Sequence, residues 1–357
     1  MSAGLCEIIS CATVQQNLDN TFAAGNMRPE KLPFLSYVMS AENRAASNFE
    51  LTGKSKKKTL QIIYDQPLLE SDVSQNGSAC SASTTECDTY QTYTFDTEVN
   101  EYLEFTVGPQ DLVGTCEENS AFIARKVQKR IEALKLKVSQ NLADTAVSDR
   151  GNWSVDTANI DGTNVTAANI LQVNTRLVDG TPNVINLALF EQVSTALEMS
   201  RIERAGVFGK NDLASFLRRS FAGADDSIGY NLKAMMERYG IAMMYDRHLA
   251  TAVDAIGATN LAVGIGSIIP VGFSLYEAEA NKVNNGTDIA ETIYDPETGM
   301  KFDLRVQRVC DDWNFNIRAT YEFKTWPDDM YKTGSNFEGT KGLAAIEATC
   351  TDLQPCA

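Results

Sequence analysis

The sequence predicts an α+β fold, and three observations predict it. Strand-like alternation of apolar and polar residues recurs in two long hairpins, one in the first third of the chain and one near its end. A single apolar stripe at helical spacing lies between them. The segment from 183 to 290 mixes helical and strand patterns.

The 357 residues are enough for two or so compact parts, and 43% hydrophobic with 22% charged residues is the composition of a folded protein. A formal charge of −16 argues against general nucleic-acid binding, which needs clustered Lys and Arg to neutralise phosphates. The start of the chain has no basic region before its short apolar patch, which Glu7 interrupts, so no signal peptide is expected. The uncharged run Ala255–Tyr276 is long enough to span a membrane. Its four Gly and its Pro270 suit buried strands and turns better, and no membrane association is expected.

Residues 1 to about 50 show weak periodicity, as befits an arm lying along something else. The cationic run Lys54, Lys56, Lys57, Lys58 follows, and then the sign of charge reverses. From Thr59 to Ala124 there are twelve Asp or Glu and no Lys or Arg. Within that segment Leu60, Ile62 and Tyr64 mark one strand. Tyr93, Phe95, Val99, Leu103, Phe105 and Val107, all at odd positions and interrupted by Glu101, mark a second. Together they predict a hairpin with a soluble Ser/Thr/Gly-rich tip.

Next, Ile123, Val127, Ile131, Leu134, Val138 and Leu142 are spaced three or four apart, which predicts one amphipathic helix over 117–142. Glu117 and Glu118 would sit at its positive end, and six Lys or Arg from Arg125 to Lys137 would cover its polar face. Residues 153–182 read as polar loop. Beyond them, helices are expected around 184–205, 210–220 and 227–238, with a strand at "GIAMMYD". The last strong pattern is "KFDLRVQRVCDDWNFNIRATYEFK", residues 301–324. It reads as two half-buried strands with Cys310, Asp311 and Asp312 at the bend, and the tail from Trp326 reads as irregular.

Candidate chemistry is sparse. His248, the one histidine, lies beside Asp246 and Arg247, but no nucleophile signature accompanies it, and a hydrolase built there is the weaker reading. "GVFGKND" at 206–212 lacks the earlier glycine and the Ser or Thr of a phosphate-binding loop and reads as a turn between helices; "AVGIGSIIPVG" lacks the third glycine of a dinucleotide loop and reads as strand and turn. Asp311 and Asp312 with Asp295 or Asp303 could hold a divalent cation, although solvated turn acids are the commoner case. The eight cysteines form no CxxC pair. Short disulfides Cys80–Cys87 or Cys350–Cys356 would need an oxidising compartment, and the sequons at Asn76, Asn152, Asn164 and Asn285 a secretory one. No metal and no cofactor are expected.

An arm, a long hairpin, a long one-sided helix, a mixed unit and a returning strand pair, in that order, resemble the major capsid proteins of tailed bacteriophages of the Hong Kong 97-like type. Encapsulin shells share that fold. The resemblance implies an N-terminal arm at 1–50, an extended loop at 51–109, a peripheral domain at 110–182 with spine helix 117–142, an axial domain at 183–290, and peripheral return strands with the tail at 291–357. It implies a non-enzymatic subunit of an icosahedral head that encloses double-stranded DNA, made in the host bacterial cytoplasm and located in the virion. Its implied partners are other copies in hexamers and pentamers, a portal and a decoration protein. Because the chain starts at Met1 without the large scaffolding segment some members carry, a separate scaffolding protein is implied as well.

Charge then nominates contacts between copies: Lys54, Lys56, Lys57, Lys58, Arg125 and Lys129 against Asp96, Glu98, Glu101 and Glu104. The competing expectations are an encapsulin-like shell around an enzyme, a tail or other virion protein, and the hydrolase near His248.

Overall fold

The computed structural model describes residues 31–39, 57–64, 89–96, 101–113, 119–148, 170–174, 205–209, 241–246, 259–264, 269–273, 288–295, 297–324 and 343–349. The 301–324 pattern folds as the alternation requires. Its strands are β10 (Lys301–Val309) and β11 (Asp312–Lys324), antiparallel with Leu304 opposite Ile317 and Val306 opposite Phe315. The bend is tighter than expected, because Asp312 already pairs with Val309 and the loop is only Cys310 and Asp311. Cys310 takes φ 57°, a left-handed conformation that a two-residue hairpin turn demands and that glycine meets without strain. Cys310→Gly is therefore expected to stabilise the chain by about 1 kcal/mol, read as a higher urea midpoint. A lowered midpoint would show that the turn is not strained.

Three further strands complete this sheet. β9 (Asp288–Tyr294) pairs with β10, and β3 (Glu101–Val107) pairs with the first half of β11; β8 (Ile269–Phe273) pairs with the second half, Thr320–Lys324. The register lines up Phe105, Phe315, Val306 and Ile289 in one row across four strands, so one face of the sheet is apolar. Phe105 and Phe315 stack at 4.5 Å with their planes 10° apart.

That face is covered by α3 (Asn119–Ser148), the helix the apolar stripe predicts, which follows the short α2 (Pro109–Val113). All six stripe residues from Ile123 to Leu142 are buried, each contributing about 1.5–3 kcal/mol by leaving water. The helix runs past 142 because Ala143 and Ala146 continue the buried face. Glu117 and Glu118 lie outside the described residues.

A second five-stranded sheet, in the order β4-β12-β7-β5-β6, shares no strand with the first. It comprises β4 (Ile170–Asn174), β5 (Ala205–Gly209), β6 (Ile241–Tyr245), β7 (Thr259–Gly264) and β12 (Leu343–Thr349). β4 with β12 and β5 with β6 are parallel pairs; β7 runs antiparallel to both β5 and β12.

Several expectations are corrected here. The segment read as loop contains β4, and the tail read as irregular contains β12; each is short, and each becomes a strand through a partner more than 80 residues away, which local pattern does not record. Gly206–Gly209 is not a turn between helices but the body of β5, and Ala205, placed at a helix end, opens that strand. Gly206 belongs there for space, since a Cβ on it would come within 2.6 Å of the Phe208 ring. The strands at 241–245, 259–264 and 269–273 agree with the sequence reading. The helices expected between 184 and 238 otherwise lie outside the described residues, as do the sequons and every cysteine but the exposed Cys310.

The first hairpin departs most from expectation. Its two strands are β1 (Lys57–Tyr64) and β2 (Thr89–Asp96), paired antiparallel along their whole length. What read as one strand from Tyr93 to Val107 is divided: β2 stays in the ribbon, whereas β3 crosses to the main sheet and pairs with β11. The odd-position alternation persists through both because each is a strand with one apolar side, so periodicity cannot show the change of partner.

Candidate assembly surfaces

Among the described residues the ribbon β1–β2 is a sheet of two strands. Its register sets Lys57 opposite Asp96 and Lys58 opposite Phe95, so the cationic run and the acidic segment begin as cross-strand neighbours within one chain. Lys54, Lys56 and Glu98 lie outside the described residues. Glu101 and Glu104 stand on β3 rather than on the ribbon. The Glu101 Oε1 accepts a hydrogen bond from Asn141 Nδ2 of α3 at 3.4 Å, and Glu104 accepts one from Asn316. Arg318 Nε donates to Asn316 Oδ1 at 2.8 Å, and Thr106 Oγ1 donates to Asn314 Oδ1 at 2.7 Å, making a polar ladder on the sheet face turned away from α3.

On α3, Arg125 and Lys129 are exposed, and Arg125 and Lys126 lie 5.8 and 5.3 Å from the Phe122 ring centroid. The structure thus keeps three cations of the helix exposed, Arg125, Lys129 and Lys137, with an acidic, partly exposed β3 beside it. Tyr102 (57% exposed) and Leu103 add apolar surface to the same strand. β3 is also an end strand of its sheet among the described residues.

Sequence reasoning missed three internal fastenings. The six cations of α3 do not all cover a polar face: Lys135 is buried, with Nζ 3.1 Å from Asp295 Oδ2 and 3.0 Å from Glu297 Oε2. Asp295 also accepts bonds from Thr298 N (2.9 Å) and Thr298 Oγ1, so one carboxylate shapes the turn between β9 and β10 while it holds the helix. A lysine at a buried helical position is visible in the sequence as the i+4 neighbour of Ile131, but its partners are 160 residues away. Arg130 is the second, its guanidinium 4.0 Å from the Phe105 ring centroid while Nη1 donates to Lys126 O at 2.9 Å; burial lowers its pKa from the usual arginine value.

The third involves Asp246, nominated as an orienting acid. It is buried, and its Oδ2 accepts a 3.0 Å bond from Phe34 N at the start of α1 (Pro33–Met39). Its geometry is that of a helix cap supplied from the end of β6. Arg247 and His248 lie outside the described residues. The four nominated acids do not converge: Asp295 is tied to Lys135, Asp303 is buried six pairings from the hairpin tip, about 20 Å along the strand, and the exposed Asp311, beside Arg308 at 3.9 Å, shares the tip only with the exposed Asp312. Among the described residues no cluster of three or more His, Cys, Asp or Glu could hold a metal ion, and no helix is long and apolar enough to cross a membrane.

The chain is similar to structures from phage capsids. One match is the asymmetric unit of the bacteriophage PhiM1 mature capsid, at 8% identity over 92% of this chain and 90% of that one, with a TM-score of 0.44. Another is the capsid structure of cyanophage P-SCSP1u, at 9% identity over 83% of each chain and a TM-score of 0.43. A chain from Mycobacterium phage Cain matches at 11% identity over 97% of this chain and 99% of that one, with a TM-score of 0.45. No family model and no curated protein matches the sequence.

Proposed function

We propose that this chain is the structural subunit of a closed shell, a major capsid protein of the Hong Kong 97-like type that forms the icosahedral head around the double-stranded DNA of a tailed bacteriophage. The observation that carries the reading is the ribbon β1–β2. Two eight-residue strands pair with each other and with no other described strand, and an isolated two-stranded ribbon is marginal in water. A ribbon of that kind is useful when a neighbouring copy covers it, and repeated head-to-tail contact closes into rings and shells when the rotation permits.

In this reading the arm is 1–50, the extended loop 51–109 as far as β3, which joins the main sheet, the peripheral domain 110–182 with its spine helix, the axial domain 183–290, whose β8 and β9 join the main sheet, and 291–357 the return strands and tail; β4 and β12 join the second sheet. The chain acts without catalysis, in the virion, after synthesis in the host cytoplasm. Its partners are hexamers and pentamers of itself, a scaffolding protein, a portal and a decoration protein, and its inner surface lies against DNA without reading sequence. The contacts between copies run from Lys54, Lys56, Lys57, Lys58, Arg125 and Lys129 to Asp96, Glu98, Glu101 and Glu104. Glu101 and Glu104 retain acceptor capacity beyond the amide bonds described, and Arg125 and Lys129 are exposed.

Reversing Lys56, Lys57 and Lys58 to Glu is expected to lower the assembled fraction at least tenfold at low salt while leaving the monomer folded. Sedimentation velocity with circular dichroism reads both. Unchanged assembly in the triple variant would remove these residues from the interface.

A further inference from the structure

The segment 31–39 falls within the part of the chain read as an arm, yet it is among the most deeply buried described. Leu32, Phe34, Leu35, Val38 and Met39 all belong to the apolar core, and Leu35 has no exposed surface. At seven residues α1 is too short to persist as a helix alone, so its conformation depends on where it docks.

It docks at the junction of the two sheets. α1 touches β6 of the second sheet, β8 at the end of the first, and α3. Phe34 and Tyr37 each place a ring 5.0 Å from that of Phe208 on β5. Phe208 of the second sheet joins the main apolar cluster, to which α1, α3 and the first sheet contribute. Gly206 leaves the room these rings occupy: a Cβ there would also stand 3.2 Å from Tyr37. The polar fastening is Asp246, whose backbone N–H donates to Gly209 O at 2.9 Å and whose carboxylate caps α1.

We propose that α1 is a releasable strap coupling the two sheets, held by the Asp246 cap and the Phe34–Phe208–Tyr37 cluster. The sheets share no strand, so each keeps its own hydrogen-bond ladder when the strap leaves. What is lost is the apolar link between them, and with it the fixed angle at which one sheet meets the other. The strap is part of the fold of the single chain and does not depend on the shell reading.

Hydrogen exchange read by mass spectrometry on the full chain tests this, together with limited proteolysis. Asp246→Ala is expected to speed exchange over 33–39 roughly tenfold and to open a cleavage site within 31–39. Amides of α3, β10 and β11 should keep their protection. Asp246→Asn, whose side-chain carbonyl still accepts from Phe34 N, should stay within about twofold of the parent. If Asp246→Ala does not fold, Tyr37→Leu loosens the other end of the strap and should show the same local pattern at smaller amplitude. Faster exchange spread evenly over both sheets and α3 would overturn the proposal, because the strap would not be separable. Unchanged exchange at 33–39 in both Asp246→Ala and Tyr37→Leu would overturn it equally, because neither fastening would hold the helix.

Discussion

Asp295→Ala is expected to destabilise the folded chain by about 3 kcal/mol, read as a lower midpoint in urea. The substitution removes the buried carboxylate from a lysine whose side chain is 3% exposed, and it removes the acceptor that Thr298 uses twice in the β9–β10 turn. Glu297 remains 3.0 Å from Lys135, but it is one-third exposed, so the ammonium keeps a weaker and more screened partner. The desolvation that the pair had offset then falls largely on Lys135. A sharper expectation follows for the double variant. Lys135→Met with Asp295→Ala should be more stable than Asp295→Ala alone, since it leaves no buried charge to solvate. A single variant within about 0.5 kcal/mol of the parent would mean that the triad is not a fastening.

Phe315→Ala should cost about 3–5 kcal/mol. Phe315 is 1% exposed and sits at the centre of the sheet, opposite Phe105 on one side and Val306 on the other. Removing its ring leaves a cavity under α3 and takes away the stacking partner of Phe105, on which Arg130 in turn rests. Tyr102→Ala, on the opposite and exposed side of β3, should change stability by less than about 0.5 kcal/mol. Equal losses from the two variants would show that the two faces of β3 are misassigned.

Legibility in the sequence followed the range of the interactions. The helix α3 was readable because its stripe is local, each buried residue lying three or four positions from the next. The β10–β11 hairpin was readable for the same reason, with partners joined by a two-residue turn. β4 and β12 were not, because five or seven residues of moderate apolarity carry no strand signal until a distant strand pairs with them. The break between β2 and β3 left only Glu101 as a trace, since the alternation does not say which partner a strand has.

Charge in the sequence was informative about surfaces and misleading about the interior. Arg125 and Lys129 are exposed as the pattern implied, whereas Lys135 and Asp246, in equally ordinary contexts, are buried with partners more than 150 residues away. Composition along a helix records a buried ion pair no differently from a solvated one.

The measurement that bears most directly on the account is negative-stain electron microscopy of the full chain, expressed alone and with candidate scaffolding partners, with size-exclusion chromatography on the same samples. Closed shells, or rings of six and five copies, are the predicted result, and removal of residues 57–96 from the chain should abolish them. A monodisperse monomer or dimer under every condition would contradict the account.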